Sequence, residues 1–479
     1  MHIQEEASRC LLCADAPCSK ACKGGDPARA IRAVRFDNAA IARQWVKGCT
    51  EEELEAAEKA CIHYDRPIRI REIVRQLPEA PSKPLPSLEI DFCGLRCENP
   101  FFLASSAVCT NYDMVSRAFE AGWGGVFYKT ICLQDIKEVS PRFDAVYGNG
   151  NREFYGFRNM EQLSENPVDV DFDILRRLKK NYPSKIVVAS IMGQKEDEWI
   201  ELAKMAEEAG CDAVELNFSC PQMRQTGMGC DVGQDPELVT FFTAYVKRSV
   251  KIPVIPKMTP NIAHIAEPAM GAYFAGADAI SAINTIKSVT LGDGSEVNGA
   301  QTGSGYSGRA VKPIALRHIL AMVKNPIMKN VQYSGVGGIE TWKDALEFIQ
   351  LGCRNVQVCT AVMQFGYRII DDLVLGLQNH MAERGVERLE DLVGERLPSF
   401  HLPSDLDRGT VVYPKFDTSK CIGCGRCTIS CADGGHQALV FNPETRKPQF
   451  IGPKCVGCHL CRLVCPVGAI SSSKRIEKR

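Results

Sequence analysis

Between residues 88 and 393, short apolar runs rich in β-branched and aromatic residues alternate with longer stretches of helical spacing. The runs fall at 101–107, 125–130, 186–192 and 213–219, and continue at 254–259, 279–285, 331–337 and 355–360. Most are followed by a pattern such as AEEAG or TWKDALEFIQLG, in which apolar positions recur every three or four residues as one face of a helix requires. Eight such units in series predict an α/β protein built on a (β/α)8 barrel. A doubly wound sheet is the alternative, but no Gly-x-Gly-x-x-Gly turn follows any of the runs. Two segments, 132–166 and 288–307, interrupt the alternation and are expected to extend loops at the barrel's catalytic mouth.

The pattern changes on either side of the barrel. Residues 1–77 open with a cysteine cluster and continue with helical spacing over 27–45 and 51–61, which predicts a small helical module. The segment 78–87 holds Pro78, Pro81, Pro84 and Pro86, cannot sustain a helix, and reads as an extended linker. After the barrel domain at 88–393, a second linker at 394–410 leads to a cysteine-rich domain at 411–473 and a basic tail at 474–479.

Composition narrows the function. The net charge of -1, with 24% charged residues, supplies no basic stripe for nucleic acid and no acidic tail. No stretch approaches the length of apolar sequence that spans a bilayer, and the charged start MHIQEEASRC is unlike a secretory signal, so a cytoplasmic protein is expected. In that compartment 23 cysteines point to metal ligation rather than disulfides. Six of them lie before residue 62 and eight after residue 420.

The C-terminal eight spell C-x2-C-x2-C-x3-C twice. In a two-cluster ferredoxin arrangement the fourth cysteine of each run crosses to the other cubane. That assigns Cys421, Cys424, Cys427 and Cys465 to one [4Fe-4S] cluster and Cys455, Cys458, Cys461 and Cys431 to the second. A pair of zinc sites is the alternative, but zinc usually takes Cys-x-x-Cys pairs set farther apart. Cys431 is followed by Ala432 where Cys465 has Pro466, so the halves are unequal.

Barrel enzymes carry their chemistry at the C-terminal ends of strands. The residues closing the runs are Ala104, Ser105 and Ser106; Lys129 and Thr130; Asn217 with Ser219, Cys220 and Pro221; Lys257; Asn284 and Thr285; Gly337 and Gly338; and Cys359 and Thr360. Small residues where backbone meets a ring, lysines inside apolar runs and glycine-rich turns that can donate amides to a phosphate form the mixture a flavin needs. Surface lysines at strand ends are the plain alternative for Lys129 and Lys257.

The segments ELNFSCP, AINT, GYSG and VGGI resemble the dihydroorotate and dihydropyrimidine dehydrogenases, flavin mononucleotide (FMN) barrels that act on the 5,6 bond of a pyrimidine. The resemblance is to the pyrimidine branch and its bacterial catalytic subunits, runs from about residue 88 to 470, and includes the ferredoxin-like end. It implies FMN contacts at Lys129, Asn159, Asn217, Lys257, Asn284, Ser307, Gly308, Gly338 and Thr360. It also implies substrate contacts at Asn159, Glu161, Leu163, Asn217, Asn284 and Thr285, with Cys220 as general acid and base. Cys230, in the glycine-rich stretch GMGCDVGQ, is the second choice for the acid. A carboxylate at Glu161 is expected to accept from a ring N–H and to repel the carboxylate of orotate, favouring neutral bases.

The same resemblance implies reversible reduction of uracil or thymine, with electrons from an NAD(P)H-oxidising FAD and iron-sulfur partner subunit, since this chain shows no nucleotide-binding turn of its own. Dihydroorotate dehydrogenation is the alternative within the class; a non-catalytic electron-transfer subunit is the alternative outside it. The N-terminal run Cys10, Cys13, Cys18 and Cys22 resembles the opening of the iron-sulfur domain in long fused dihydropyrimidine dehydrogenases and glutamate synthase small subunits. That likeness implies a third [4Fe-4S] cluster on Cys10, Cys13, Cys18 and Cys61, with zinc on the same thiolates as the alternative. Cys22 and Cys49 are left over, two thiolates short of a further set.

Overall fold

The structure, a computed structural model, describes residues 3–147, 154–223, 227–291, 297 and 300–478. The chain divides into two compact units, Met1–Leu397 and Pro398–Arg479.

The first unit is organised by eight parallel strands: β1 (Phe101–Leu103), β2 (Gly125–Phe127), β3 (Ile186–Ile191), β4 (Ala213–Asn217), β5 (Val254–Met258), β6 (Ala279–Ala282), β7 (Gln332–Val336) and β8 (Cys353–Val358). Each pairs with its neighbours in sequence, and β8 closes on β1 through Val356 and Phe101, Gln357 and Phe102, and Val358 and Leu103. All eight sequence runs are therefore barrel strands. Their apolar character follows from position, because a strand between the barrel interior and a ring of helices is buried on both faces. Every residue of β3, β4, β5 and β6 is buried.

Local signals place the surrounding helices. Asn111 caps Tyr112–Ala121 by accepting from the Met114 N–H at 2.9 Å, and the helix stops at Gly122, whose φ of 113° suits a residue without Cβ. Thr341 and Asp344 form a reciprocal capping box on Trp342–Gln350, worth about 1 kcal/mol if the cap were truncated.

The two interruptions of the alternation meet in space. Phe143–Tyr147 and Phe154–Asn159 from the first, with Ile286–Ser288 and Ser304–Ser307 from the second, form a four-stranded antiparallel sheet. Gly305 lies opposite Asn159 and Ser307 opposite Phe157, so this sheet brings Asn159 and Ser307 together.

The N-terminal residues form six short helices among the described residues: Ile3–Ser8, Pro17–Lys20, Pro27–Arg35, Ala39–Trp45, Glu51–Lys59 and Ile70–Arg75. They enclose a small core of their own, with Ile31, Val34, Leu54 and Ile73 in it. The helical stretch expected over 27–45 is broken after Arg35, where Asp37 takes a left-handed φ of 62°. This module is tied to the barrel's last long helix, Ile370–Arg384: Arg32 Nε donates to Asp372 Oδ2 at 2.6 Å, and Arg29 donates to Asp371 at 2.7 Å. Phe36 stacks edge-on against Phe365, with ring centroids 5.2 Å apart.

Among the described residues of the second unit, the α-helix Arg426–Gly434 carries Cys427 and Cys431, and the α-helix Leu460–Leu463 carries Cys461 and ends two residues before Cys465. A hairpin of Leu439–Asn442 and Lys447–Phe450 joins the two runs, and Pro414–Phe416 pairs with Ile470–Ser472. Residues of the expected basic tail contribute a short strand, Ile476–Glu477, that pairs with Thr410–Val411. No helix among the described residues is long and apolar enough to cross a membrane.

Candidate functional site

A cleft opens at the C-terminal ends of the barrel strands, where such barrels place their chemistry. Its wall includes Ala104, Ser105 and Ser106 after β1, Lys129 and Thr130 after β2, Asn217 at the end of β4 with Cys220 after it, and Lys257 on β5. Asn284 and Thr285 follow β6, Gly337 and Gly338 follow β7, and Cys359 and Thr360 follow β8. The antiparallel sheet adds Asn159 and Ser307, and the residues just past its strands add Glu161 and Gly308.

One expected site residue is elsewhere. Leu163 is 1% exposed, belongs to the barrel's apolar core and does not border the cleft. Its side chain is apolar, and burial among apolar neighbours satisfies it better than a polar cleft does.

Beneath the cleft lies a connected polar floor. Thr130 Oγ1 shares hydrogen bonds with Ser105 at 3.0 Å and Ser190 at 2.9 Å, and accepts from Asn217 Nδ2 at 2.9 Å. Ser190 donates to Glu215 at 2.9 Å, and Glu215 faces Lys257 Nζ at 3.5 Å. Asn284 Nδ2 donates to Ser219 Oγ at 2.9 Å, and Ser219 donates to Asn217 Oδ1 at 2.7 Å. These contacts fix the amides of Asn217 and Asn284 in orientation. Gln357 anchors the far side by donating to Ser281 at 2.9 Å and Ser334 at 2.8 Å.

Sequence reading missed Ser190, Glu215 and Gln357. The signal was present: each is a polar residue with an apolar residue on either side in its strand, where a buried polar group needs partners. It also missed Tyr306, Arg309 and Glu340 on the cleft wall, which come from the antiparallel cover, the short turn after it and the loop after β7, outside the eight barrel runs.

Glu161 differs from expectation. Its Oε2 lies 2.9 Å from Lys129 Nζ and its Oε1 3.3 Å from Arg142 Nη1, with the Glu161 side chain 7% exposed. Two cations already compensate this carboxylate, so repulsion of a substrate carboxylate does not follow from it.

Cys220 is 5% exposed and borders the cleft. Burial pushes its thiol up to about 11, against the lowering influence of the Gln222 backbone amide and Lys129. At neutral pH it carries its proton and is competent to donate it. The loop after it folds back, with the Cys230 N–H donating to the Cys220 carbonyl at 3.0 Å. Cys230 itself is buried off the cleft wall, which sets it apart from Cys220 as a candidate acid.

The cleft fits a flavin phosphate and ring. Gly308, Gly337 and Gly338 have φ of 93°, 129° and 73°, and a Cβ on Gly338 would sit 2.8 Å from the Lys312 backbone nitrogen and 2.9 Å from the Gly308 carbonyl oxygen. Only bare backbone can line that corner, beside the short helix Thr360–Phe365 that follows β8, the part of such barrels that holds phosphate. Gln222 Oε1 and Gln357 Oε1 line the same cleft, buried and with no hydrogen-bond partner, as acceptors awaiting a donor.

In the second unit, two small cavities collect the cysteines. One is bordered by Cys421, Cys424, Cys427 and Cys465, the other by Cys431, Cys455, Cys458 and Cys461. The fourth cysteine of each run lies in the other run's cavity, the crossing that the spacing predicts. In the N-terminal module, burial raises the Cys10 thiol and the charges of Cys13 and Cys61 add to it. Burial also lifts Cys18 to about 11, with Cys10 and Cys61 contributing, and Cys10, Cys18 and Cys61 pack against the module's small core. Arg35 donates to the Cys10 carbonyl at 2.7 Å and Arg368 to the Cys13 carbonyl at 3.2 Å.

The dihydroorotate dehydrogenase family model matches residues 87–381. The chain belongs to that family. A 4Fe-4S dicluster domain matches residues 415–472, and neither match reaches residues 1–86. The chain is 50% identical over 389 residues to the NAD-dependent dihydropyrimidine dehydrogenase subunit PreA of Escherichia coli K12, covering 80% of this chain and 94% of that protein. It is 38% identical over 338 residues to the chloroplastic dihydropyrimidine dehydrogenase (NADP(+)) of Arabidopsis thaliana, covering 67% of this chain and 79% of that one. A dihydroorotate dehydrogenase from Eimeria tenella, solved with ferulenol, superposes with a TM-score of 0.55 at 18% identity, over 65% of this chain and 88% of that one, a likeness of fold. Family membership implies FMN, and the dicluster domain implies two [4Fe-4S] clusters.

Proposed function

We propose that the chain is the catalytic subunit of a dihydropyrimidine dehydrogenase that reversibly reduces uracil or thymine to the 5,6-dihydro base. The observation that carries the reading is a buried Cys220 thiol on the wall of the cleft at the barrel's strand ends, in a chain 50% identical to a dihydropyrimidine dehydrogenase subunit.

FMN, when bound, supplies hydride transfer to and from C6 of the base. Gly308, Gly337, Gly338 and Thr360 are the residues we assign to its phosphate, and Lys129, Lys257 and Ala104 to Ser106 to its ring. Asn217, Asn284 and Thr285 hold the base by its polar edge, their amides already oriented by Ser219 and Thr130. Cys220 gives its proton to C5 in reduction and takes it back in oxidation. The eight C-terminal cysteines and the set Cys10, Cys13, Cys18 and Cys61 are assigned to three [4Fe-4S] clusters that carry electrons from an NAD(P)H-oxidising FAD and iron-sulfur partner subunit. The Gly-x-Gly-x-x-Gly match at Gly303, Gly305 and Gly308 lies on the antiparallel strand Ser304–Ser307 rather than in the turn of a parallel βαβ unit, so the chain alone should not oxidise NADH, yet should reduce uracil with a strong artificial donor. Consumption of NADH by the pure chain would refute the two-subunit reading. Dihydroorotate dehydrogenation is the second reading; the compensated charge on Glu161 leaves room for a substrate carboxylate, and a comparison of the two substrates separates them.

A further inference from the structure

The N-terminal module holds two cysteines that the set of Cys10, Cys13, Cys18 and Cys61 leaves over. Cys22 follows the helix Pro17–Lys20, and Cys49 stands one residue before Thr50, the N-cap of Glu51–Lys59. The cap is reciprocal: the Glu53 N–H donates to Thr50 Oγ1 at 3.2 Å and the Thr50 N–H donates to Glu53 Oε2 at 3.1 Å. This turns the Glu53 carboxylate back over the helix start, where Cys22 Sγ lies 3.9 Å from Oε2. One ligand atom from each of Cys22, Cys49 and Glu53 lies within 4.8 Å of the other two.

We propose that Cys22, Cys49 and Glu53 form a mononuclear zinc site, separate from the iron-sulfur centres, with water as the fourth ligand. The spacing is that of ligands around one ion: with zinc-sulfur bonds of about 2.3 Å, two thiolates in a tetrahedral site stand about 3.8 Å apart. A cubane places each thiolate on a different iron at a different corner, which holds the sulfurs farther apart. The molecule supplies its own control, since among the described residues neither the C-terminal cysteines nor Cys10, Cys13, Cys18 and Cys61 form a trio this tight.

The backbone around the trio is cleared of side chains. A Cβ on Gly25 would stand 2.8 Å from Cys49 Sγ, and one on Gly24 would stand 2.9 Å from Glu53 Oε2 and 2.1 Å from the Gly48 carbonyl oxygen. Glycine at these positions lets the strand of chain after Cys22 lie against the start of the helix. Two thiolates and a carboxylate suit zinc among the divalent ions, and the Glu53 carboxylate has lone pairs to spare beyond those that accept from the Thr50 and Lys23 N–H groups. An ion there ties residues 22–26 to the helix Glu51–Lys59 in a module too small to rely on its core alone.

The test is zinc and iron analysis of the full-length chain purified anaerobically, as wild type, Cys22→Ala, Cys49→Ala and Glu53→Gln. The wild type should hold one zinc; both cysteine variants should lose it while keeping iron and flavin, and Glu53→Gln should release zinc to a chelator at least tenfold faster. Should the cysteine variants not fold, alkylation of the wild type followed by peptide mapping replaces them. Cys22 and Cys49 should be protected with zinc, exposed by a chelator and protected again when zinc is restored. Wild-type protein without zinc, loss of about four irons in Cys22→Ala, a Cys22–Cys49 disulfide, or alkylation indifferent to zinc would each overturn the proposal.

Discussion

Lys129 Nζ and Glu161 Oε2 lie 2.9 Å apart, with both side chains almost completely buried at the edge of the cleft. One residue leaves strand β2 and the other leaves the antiparallel sheet over the barrel mouth, so the pair joins the barrel to its cover. Burial makes each charge depend on its neighbours, and Glu161 has a second one in Arg142 at 3.3 Å.

The pair predicts unequal consequences for its two members. Glu161→Gln should retain FMN, keep Arg142 as a partner for its amide, and raise KM for uracil while leaving flavin content unchanged. Lys129→Met should lose FMN on gel filtration, because a buried carboxylate then faces the ring site. Absorbance of the purified variants near 450 nm distinguishes the two; equal flavin in both would show that Lys129 is not a cofactor contact.

Cys220→Ala should leave flavin and clusters in place and lower pyrimidine turnover by about 10²-fold or more. Cys220→Ser should rescue little, since a hydroxyl is a far weaker acid than a thiol.

The two directions should respond differently to pH. Burial holds the Cys220 thiol up at about 11, so its proton is present throughout the neutral range and is lost only as pH rises through that value. Reduction of uracil, which needs the thiol, should be flat from about pH 7 to 9 as far as this group is concerned. Oxidation of dihydrouracil, which needs the thiolate, should rise about tenfold per pH unit over the same interval. Single-turnover rates measured in both directions test this, and a rise in the reductive rate with pH would contradict it.

Legibility in the sequence followed the physics of each part. The barrel was readable because strands buried on both faces must be nearly all apolar, and the cluster ligands because covalent geometry fixes their spacing. The strand ends carried most of the cleft for the same reason: strand position dictates where a side chain emerges. What stayed hidden depends on contacts between distant segments. Nothing near Glu161 in sequence reveals that Lys129 and Arg142 neutralise it, and nothing near Leu163 reveals that it turns into the core. The four-stranded cover was visible only as two interruptions, because its pairing joins residues about 150 positions apart, as Ser307 and Phe157 are.

Of the ties that dock the N-terminal module, the most buried is Arg32, which bonds Asp372 at 2.6 Å and Asp371 at 3.1 Å. Burial, opposed by Arg32, raises the Asp372 carboxyl to about 6. Asp372→Asn should therefore cost about 1 kcal/mol or less, since Arg32 keeps Asp371. Arg32→Ala should cost about 3 kcal/mol or more, because it strands a buried carboxylate. Thermal unfolding and the rate of proteolysis within residues 1–77 report the difference; equal effects would mean that the pair does not hold the module.

The crossing of the C-terminal ligands predicts which cluster each variant damages. Cys431→Ala should alter the same electron paramagnetic resonance signal as Cys455→Ala, and Cys465→Ala the same signal as Cys421→Ala. Grouping of Cys431 with Cys421 instead would show that each run holds its own cluster.

The central claim is that the cleft oxidises and reduces the 5,6 bond of a neutral pyrimidine. Anaerobic mixing of the oxidised protein with dihydrouracil, dihydrothymine and dihydroorotate, followed by flavin absorbance, tests it most directly. Bleaching by dihydrouracil or dihydrothymine faster than by dihydroorotate is the result predicted; faster bleaching by dihydroorotate, or none by any of the three, would contradict it.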